Sequence, residues 1–283
     1  MILSFHPIFS ADHFRLCADR ELNQRDFYWM QRAQAIILPQ HRQERLFWAC
    51  RQHCRHVFPE YTPRYRYPGK LGQIRLFREL GLAHPSTDIF QQAACCSQDY
   101  LEELQYPVVL KSNYGSEGSL VFLVQDPRQA NGVLSMLSDM ERSGFSGFMV
   151  QELIPDQERT LRVAVLGDKF YSYWRCQADP FQFRHNIQAG GVIDQDSDPE
   201  LQAKAVELVQ TLCARTGINL AGVDVLFSAA RPQESPSPLL LEINYYFARQ
   251  GLGGNDAYYQ LLQEAIQGWL QGIGVHGMLA RQG

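Results

Sequence analysis

The 283-residue sequence lacks the features that mark membrane-spanning and nucleic-acid-binding chains. No apolar run reaches the roughly 18 residues of a spanning helix, and the first residues show no basic stretch followed by an apolar core of the secretory type. The formal net charge of −4 gives no general attraction to nucleic acid or to anionic lipid. We therefore expect a chain that binds neither nucleic acid nor membranes.

Cysteine is scarce and forms no framework. The seven cysteines are an odd number scattered along the chain, whereas secreted disulfide-rich domains carry even, regularly spaced cysteines. This usage is typical of a reducing compartment, and we expect a cytoplasmic protein. The sequence also offers no clear Ser/His/Asp or Cys/His nucleophile motif. With 45% hydrophobic and 20% charged residues, it reads as a globular chain of two or three lobes.

Two short apolar segments, residues 222–227 and 239–244, each contain polar oxygen donors. The linker between them, residues 228–238, is rich in Pro and Ser and predicts an exposed hairpin loop. A polar edge strand with solvated acids is one interpretation. The aliphatic residues of the second segment disfavour it, because a solvated edge is seldom so apolar.

Antiparallel pairing of the two segments would bring Asp224 near Glu242 and Asn244. Glu242 and Asn244 share one face of their strand because they are two residues apart. Two carboxylates and an amide oxygen form the kind of site that holds Mg²⁺, usually together with phosphate oxygens. We expect both carboxylates at strand positions that solvent reaches.

The N-terminal part alternates strands and helices. Short apolar runs predict strands over residues 1–5, 35–38 and 56–58, and the stretches between them predict helices over residues 11–32 and 41–55. This alternation is typical of a small parallel α/β layer.

A Gly/Ser turn, residues 113–119, follows a predicted strand that carries Lys111 near its end, and Lys70 opens a predicted helix over residues 70–80. A flexible Gly-rich hairpin with a lysine at its base can hold phosphates with backbone N–H groups and a point charge. Solvated lysines beside ordinary Gly/Ser hairpins are the common alternative. Farther on, Arg162 and Arg175 interrupt apolar strands, where an unpaired guanidinium is costly, so each should face a protein carboxylate or a ligand.

Seven segments in chain order resemble the ATP-grasp superfamily, in its branch of glutathione synthetase and RimK-type ligases. They are Lys70 at the helix start, PVVLKSNYGSEGS, MVQELIP, TLRVAVLGDK, FRHNIQAGG, AGVDVLF and LLLEIN. The resemblance covers roughly residues 70–270. It implies an α/β plus α+β chain, in which two α+β lobes clasp ATP and a small parallel α/β domain precedes them. The expected domains are residues 1–84 and 85–283, the latter divided into lobes 85–152 and 153–283.

The same resemblance assigns roles to individual residues. The implied ATP contacts are the lysines Lys70 and Lys111, the phosphate-loop residues Gly115, Ser116 and Gly118, the adenine hinge Gln151, Glu152, Leu153 and Ile154, and Glu158 at the ribose. The implied metal ligands are Asp224, Glu242 and Asn244. The implied catalytic residues are Arg162, Arg184 and Asn186. The implied substrate contacts are Gly190 and Gly191. Arg249 is added from its position just past the metal strand, where its aromatic neighbours in residues 245–251 should shield it from water and favour a bidentate carboxylate. The alternative is a surface arginine paired with Asp256 or with nothing.

Three departures from the family pattern concern what binds beside ATP. Thr160 stands where the family usually has an acid, so the ribose carboxylate is either Glu158 or Asp156. Ala189 replaces a basic residue before the Gly pair. Residues 245–251 replace a Pro/Gly turn with an aromatic and basic segment, which we expect to border the acceptor pocket.

The implied activity is ATP-dependent ligation of a carboxylate to an amine through an acylphosphate, with ADP and phosphate released. The implied cofactors are ATP and Mg²⁺, as two ions for which Mn²⁺ can substitute, and the partners are small-molecule or peptide carboxylates and amines. Homo-oligomerisation is left open. The alternatives are a nucleotide-binding module without ligase activity, or acyl-phosphate transfer to a non-amine acceptor.

Overall fold

The computed structural model describes residues 1–17, 20–40, 43–115, 119–155, 159–176, 192–228 and 235–276. Within those ranges the strands form three sheets, and helices lie against each sheet. None of the helices in this part of the chain is long and apolar enough to cross a membrane.

The N-terminal sheet consists of β1 (Ile2–Ser4), β2 (His13–Phe14), β3 (Ala35–Ile37) and β4 (Val57–Phe58). All of its strand pairs are parallel, in the order β2-β1-β3-β4. Helices α1 (Gln24–Met30) and α2 (Glu44–His53) cover one face, where Met30 and Phe47 join the same hydrophobic cluster as Leu3 and Ile36. The expected parallel α/β layer is confirmed.

The helix expected over residues 11–32 is wrong for its first half. Strand β2 occupies part of that stretch beside β1, and α1 begins only after Asn23. The Asn23 side chain accepts hydrogen bonds from the main-chain N–H groups of Arg25 and Asp26, and the Asp26 carboxylate accepts one from the N–H of Asn23. This reciprocal cap satisfies donors of the first turn and therefore sets where the helix starts.

The middle sheet consists of β5 (Thr87–Phe90), β6 (Val108–Ser112), β7 (Val121–Val124) and β8 (Phe148–Glu152). It is antiparallel, in the order β5-β8-β6-β7. Helices α5 (Gln98–Glu103) and α6 (Pro127–Arg142) cover one face and form a separate hydrophobic cluster with it. On the other face Met149 belongs to the cluster of α4 (Gly69–Glu79), the helix that follows α3 (Thr62–Arg66).

The C-terminal sheet consists of β9 (Arg159–Leu166), β10 (Lys169–Cys176), β11 (Val192–Asp194), β12 (Leu220–Phe227) and β13 (Pro238–Asn244). Its pairs are antiparallel, in the order β11-β10-β9-β12-β13. Helix α7 (Pro199–Thr216) covers one face, because alternate strand residues such as Val163 and Val223 cluster with Val209 and Leu212.

Helix α8 (Gly254–Gly272) lies between the N-terminal and C-terminal sheets. Its residues Tyr258 and Leu262 share one hydrophobic cluster with Ile37 of β3 and with Ala164 of β9. The N-terminal sheet and the C-terminal sheet are therefore joined through a common core, whereas α5, α6 and one face of the middle sheet form a cluster of their own. The proposed domain boundaries remain a prediction.

Candidate functional site

One polar row crosses the C-terminal sheet from β13 to β10. Asp224 on β12 lies opposite Glu242 on one side and opposite Arg162 on the other, and Arg162 lies opposite Tyr173. Directly opposed residues of antiparallel strands share a face, so these four side chains line the same surface. A register shift after Asp224 marks a bulge in the β12–β13 pair, a feature that often re-aims side chains beside functional sites.

Asp224 is the centre of a charge network. Arg162 donates from Nε and Nη2 to its two carboxylate oxygens at 2.5 and 3.1 Å. Arg175 approaches Oδ1 to 2.8 Å, and the Asn244 amide donates to Oδ2 at 3.1 Å. Burial opposes ionisation, but the two guanidinium charges outweigh it and lower the pKa of Asp224. Arg162 and Arg175 were each expected to face either a protein carboxylate or a ligand. In the structure both face the carboxylate of Asp224.

The expectation that solvent reaches both carboxylates is wrong for Asp224. Its exposed fraction is 5%, as is that of Arg162, and the side chains that lie against Asp224 come from β9 and β10 as Arg162 and Arg175. Glu242, on the edge strand β13, is half-buried, and its carboxylate makes no hydrogen bond or ion pair with any described residue. Thr160, which stands where an acid was expected, accepts a hydrogen bond from Arg175 at 2.9 Å.

Two of the three predicted metal ligands, Glu242 and Asn244, have oxygens left for a cation, whereas Asp224 would have to exchange one of its present partners, Arg162, Arg175 or Asn244. Asn244 uses its NH₂ group on Asp224, which leaves its carbonyl oxygen for another partner. Glu242 contributes a carboxylate without a partner in the described chain. The described residues contain no cluster of three or more His, Cys, Asp and Glu side chains that could hold a metal, so a Mg²⁺ ion here would need further oxygens, as phosphates supply.

Lys111 of the middle sheet faces this row. Its ammonium group donates to Gln151 Oε1 at 2.6 Å, and Gln151 in turn donates to Thr87. Burial lowers the pKa of Lys111 to about 8, while the charges of Glu242 and Asp224 act against that shift. A lysine of one sheet and two carboxylates of another therefore lie close enough for their charges to interact.

Lys70 lies at the start of α4 and donates to the main-chain oxygen of Gly115 at 2.8 Å. The next residue, Leu71, donates its N–H to Asn113 Oδ1 at 3.1 Å. Two links therefore tie the helix start to the Gly/Ser loop. Both lysines predicted to contact phosphate are next to elements that carry the other predicted ATP contacts.

The predicted adenine hinge lies where β8 ends, and part of its main chain has no partner among the described residues. The N–H of Glu152 is bonded to Ser86 O at 2.9 Å, and its carboxylate accepts from the N–H of Ser86 at 2.7 Å. Leu153 and Ile154 make no hydrogen bond with other described residues. Their backbone groups suit recognition of a heterocycle edge, whereas the Gln151 side chain is already used on Lys111 and Thr87.

Arg249 is held by neutral partners. Its guanidinium donates to Asn255 Oδ1 at 3.0 Å and to the Tyr259 hydroxyl at 2.9 Å, and it lies 4.5 Å from the ring centres of Tyr258 and Tyr259. The shielding rings come from α8, not from the neighbouring aromatic segment as expected. Burial and the charge of Arg249 together lower the pKa of His6 to about 4, so this histidine adds no charge near pH 7.

Several predicted site residues lie outside the described ranges: Ser116, Gly118, Glu158, Arg184, Asn186, Gly190 and Gly191. Their roles remain predictions.

Tyr173 belongs to the polar row but was not singled out from the sequence. Its ring packs so closely on Gly251 that a Cβ added there would lie 2.1 Å from it, and its buried hydroxyl has no hydrogen-bond partner in the described chain. Tyr173 lies two residues before Arg175 and therefore on the same face of the strand, and this spacing could have identified it from the sequence.

Removal of the two carboxylates should have unequal effects on stability. Asp224→Ala leaves two buried guanidinium groups without their anion, and we expect a loss of roughly 3–5 kcal/mol in the free energy of unfolding. Glu242→Ala breaks no contact with a described residue and should cost about 1 kcal/mol or less. Urea denaturation of both variants measures the difference. Equal losses would show that Asp224 does not hold the arginines in solution.

Comparison with known proteins identifies the family of this chain. A sequence model of the RimK-like ATP-grasp domain matches residues 69–257. Over 202 residues the chain is 32% identical to a probable alpha-L-glutamate ligase from Xanthomonas campestris pv. campestris, which covers 69% of this chain and 64% of that relative. The chain thus spans less than two thirds of the relative's length.

Solved structures share the fold. A RimK domain ATP-grasp protein from Sphaerobacter thermophilus matches with a TM-score of 0.60 at 15% identity, over 93% of this chain and 98% of that one. The D-alanine–D-alanine ligase of Bacillus anthracis, crystallised with ATP, matches with a TM-score of 0.61 at 14% identity, over 92% and 88%. Family match and fold lead to one conclusion: the chain belongs to the RimK-like ATP-grasp family.

Proposed function

We propose that this chain is an ATP-dependent carboxylate–amine ligase. The observation that carries the proposal is the convergence of Lys111 with Glu242 and Asp224, which come from different sheets and face one cleft. Lys70, beside the Gly/Ser loop, adds a second cation. Paired cations and carboxylates across a cleft suit a metal-bound polyphosphate, and phosphoryl transfer depends mainly on positioning and on neutralising charge.

In the proposed reaction the substrate carboxylate attacks the γ-phosphorus of ATP, and ADP leaves. The amine then attacks the acyl carbon of the acylphosphate, loses a proton and displaces inorganic phosphate. Lys111 and Lys70 hold the phosphates, and the backbone at Leu153 and Ile154 holds the adenine. Asp224, Glu242 and Asn244 would hold Mg²⁺, and the ion would supply positive charge to neutralise the transferred phosphoryl group. Arg162 keeps Asp224 ionised and fixed in direction.

One relative of this chain is named as a probable alpha-L-glutamate ligase, and that name guides the choice of substrates to test. L-Glutamate is accordingly the first amine to test, and it also carries the carboxylates that an arginine recognises. Arg249, at the end of the segment that follows β13, has only neutral hydrogen-bond partners among the described residues, Asn255 and Tyr259. We propose that it binds a carboxylate of one ligation substrate.

Phosphate release from ATP, measured with L-glutamate and a panel of carboxylates, tests the activity. We expect release that requires both a carboxylate and an amine, together with an amide product seen by mass spectrometry. Glu242→Gln should abolish turnover, while the protein melts at nearly the wild-type temperature because this side chain has no described partner. Nucleotide binding without any release would favour the non-ligating module. Release with carboxylate and a non-amine acceptor would favour acyl-phosphate transfer.

Lys111 should couple nucleotide binding to protonation. In the free protein its pKa is about 8, and bound phosphates favour the charged amine. Binding at pH 8 should therefore take up about half a proton from this group, and affinity should fall as pH rises above that value. Calorimetry in buffers of different ionisation enthalpy measures the uptake.

The nucleotide can itself exchange protons when it binds, and the Lys111→Met variant measures that contribution without the lysine. It should remove the uptake and weaken ATP binding about tenfold or more, because charge-assisted hydrogen bonds contribute roughly 1.5–3 kcal/mol. Unchanged affinity would remove Lys111 from the phosphate site.

Arg249→Ala should raise the KM of one ligation substrate more than tenfold and change the KM of ATP less than twofold. The reason is the loss of a charge-assisted pair with the substrate carboxylate, worth roughly 1.5–3 kcal/mol. Arg249→Lys keeps the charge without the planar fork and should give an intermediate KM. Tyr246→Ala, at an exposed position of the same segment, is the matched control. If all KM values stay at the wild-type level, the acceptor carboxylate is bound elsewhere.

A further inference from the structure

Gln73, on helix α4, makes two hydrogen bonds with the main chain of a single residue, Ile243. Its Oε1 accepts from the N–H of Ile243 at 2.7 Å, and its Nε2 donates to the carbonyl of Ile243 at 2.9 Å. The two residues are 170 positions apart in the sequence. A glutamine amide has one acceptor and one donor group side by side, so it reproduces the pairing that a neighbouring strand would offer.

This pairing occurs at an edge. In the described part of the sheet β13 pairs with β12 alone, and an edge strand has N–H and C=O groups without a ladder partner. Gln73 satisfies those groups at Ile243, and the carbonyl of Ala83 satisfies the N–H of Leu240 at 2.8 Å. The edge of β13 is therefore held at two points by the segment that contains α4.

The residue held by Gln73 lies between two predicted metal ligands. Ile243 separates Glu242 from Asn244, and its own side chain is buried, with an exposed fraction of 2%. With both of its main-chain groups bonded, the peptide planes on either side are restricted, and so are the directions of the neighbouring side chains. Without Gln73, this stretch of strand would depend on pairing with β12 alone, next to the bulge that follows Asp224.

The same helix also contacts the phosphate loop. Lys70, one turn before Gln73, donates to Gly115 O, and the N–H of Leu71 donates to Asn113. Residues three apart on a helix lie on neighbouring parts of its surface. Helix α4 therefore connects the Gly/Ser loop of the middle sheet with the edge strand of the C-terminal sheet.

We propose that Gln73 is a positioning residue, which orients Glu242 and Asn244 and keeps them in register with Lys70. This inference rests on the proposed metal site. Outer-shell partners of metal ligands commonly contribute 10–100-fold to metal affinity or activity. Gln73 acts on the ligands through the backbone and does not contact the metal or nucleotide itself.

The test uses the full chain and measures ADP affinity by calorimetry, once with excess Mg²⁺ and once with EDTA. The ratio of the two affinities is the gain due to the metal. Gln73→Met keeps the length of the side chain but removes both hydrogen bonds, and it should reduce the gain about tenfold or more while affinity in EDTA changes less than twofold. Gln73→Glu keeps the acceptor and loses the donor, so its gain should be intermediate. Arg75→Ala, exposed on the same helix, should match the wild type.

Thermal unfolding of each variant shows whether it is folded at the assay temperature, and Gln73→Glu carries the test if Gln73→Met is not. A full metal gain in a folded Gln73 variant overturns the inference. So does an equal loss of affinity with Mg²⁺ and with EDTA, because that result indicates general damage to the cleft. If the wild-type protein itself shows no metal gain, the proposed metal site fails, and this outcome is distinct from the other two.

Discussion

The ion pair between Asp224 and Arg162 is the constraint on which the cleft depends. Both groups are almost fully buried, and removal of either partner would leave an uncompensated charge where water does not reach. Arg175 joins them from β10, so one carboxylate links three adjacent strands. With Asp224 held in this way, its neighbours Glu242 and Asn244 remain at the rim, where a ligand can reach them.

Charges of opposite sign are contributed by different parts of the fold. The C-terminal sheet presents carboxylates, while the middle sheet and α4 present Lys111 and Lys70. The low pKa of Lys111 indicates that the charges of Glu242 and Asp224 offset the burial of its ammonium group only in part.

Local patterns in the sequence predicted the elements better than the contacts between them. The apolar segments 222–227 and 239–244 became β12 and β13, and their antiparallel register puts Asp224 opposite Glu242 as expected. The burial of Asp224 could not be predicted, because β9 and β10 cause it. Gln73 was missed for the same reason, since its partner is distant in sequence. The prediction of a helix over the first half of residues 11–32 was wrong for a local reason, because the capping signal at Asn23 was overlooked.

The position of α8 has a consequence for how the polypeptide could be divided. Its two apolar faces are covered by β3 on one side and by β9 on the other. A shortened chain that contained only the family-matched stretch, residues 69–257, would lack the N-terminal sheet and most of α8. Residues of the C-terminal sheet such as Ala164 and Leu166 would then be uncovered. The C-terminal sheet therefore depends on α8 and the N-terminal sheet to cover these residues. Joining the middle and C-terminal sheets to a different N-terminal domain would require another element in place of α8, with aliphatic surfaces that match on both sides.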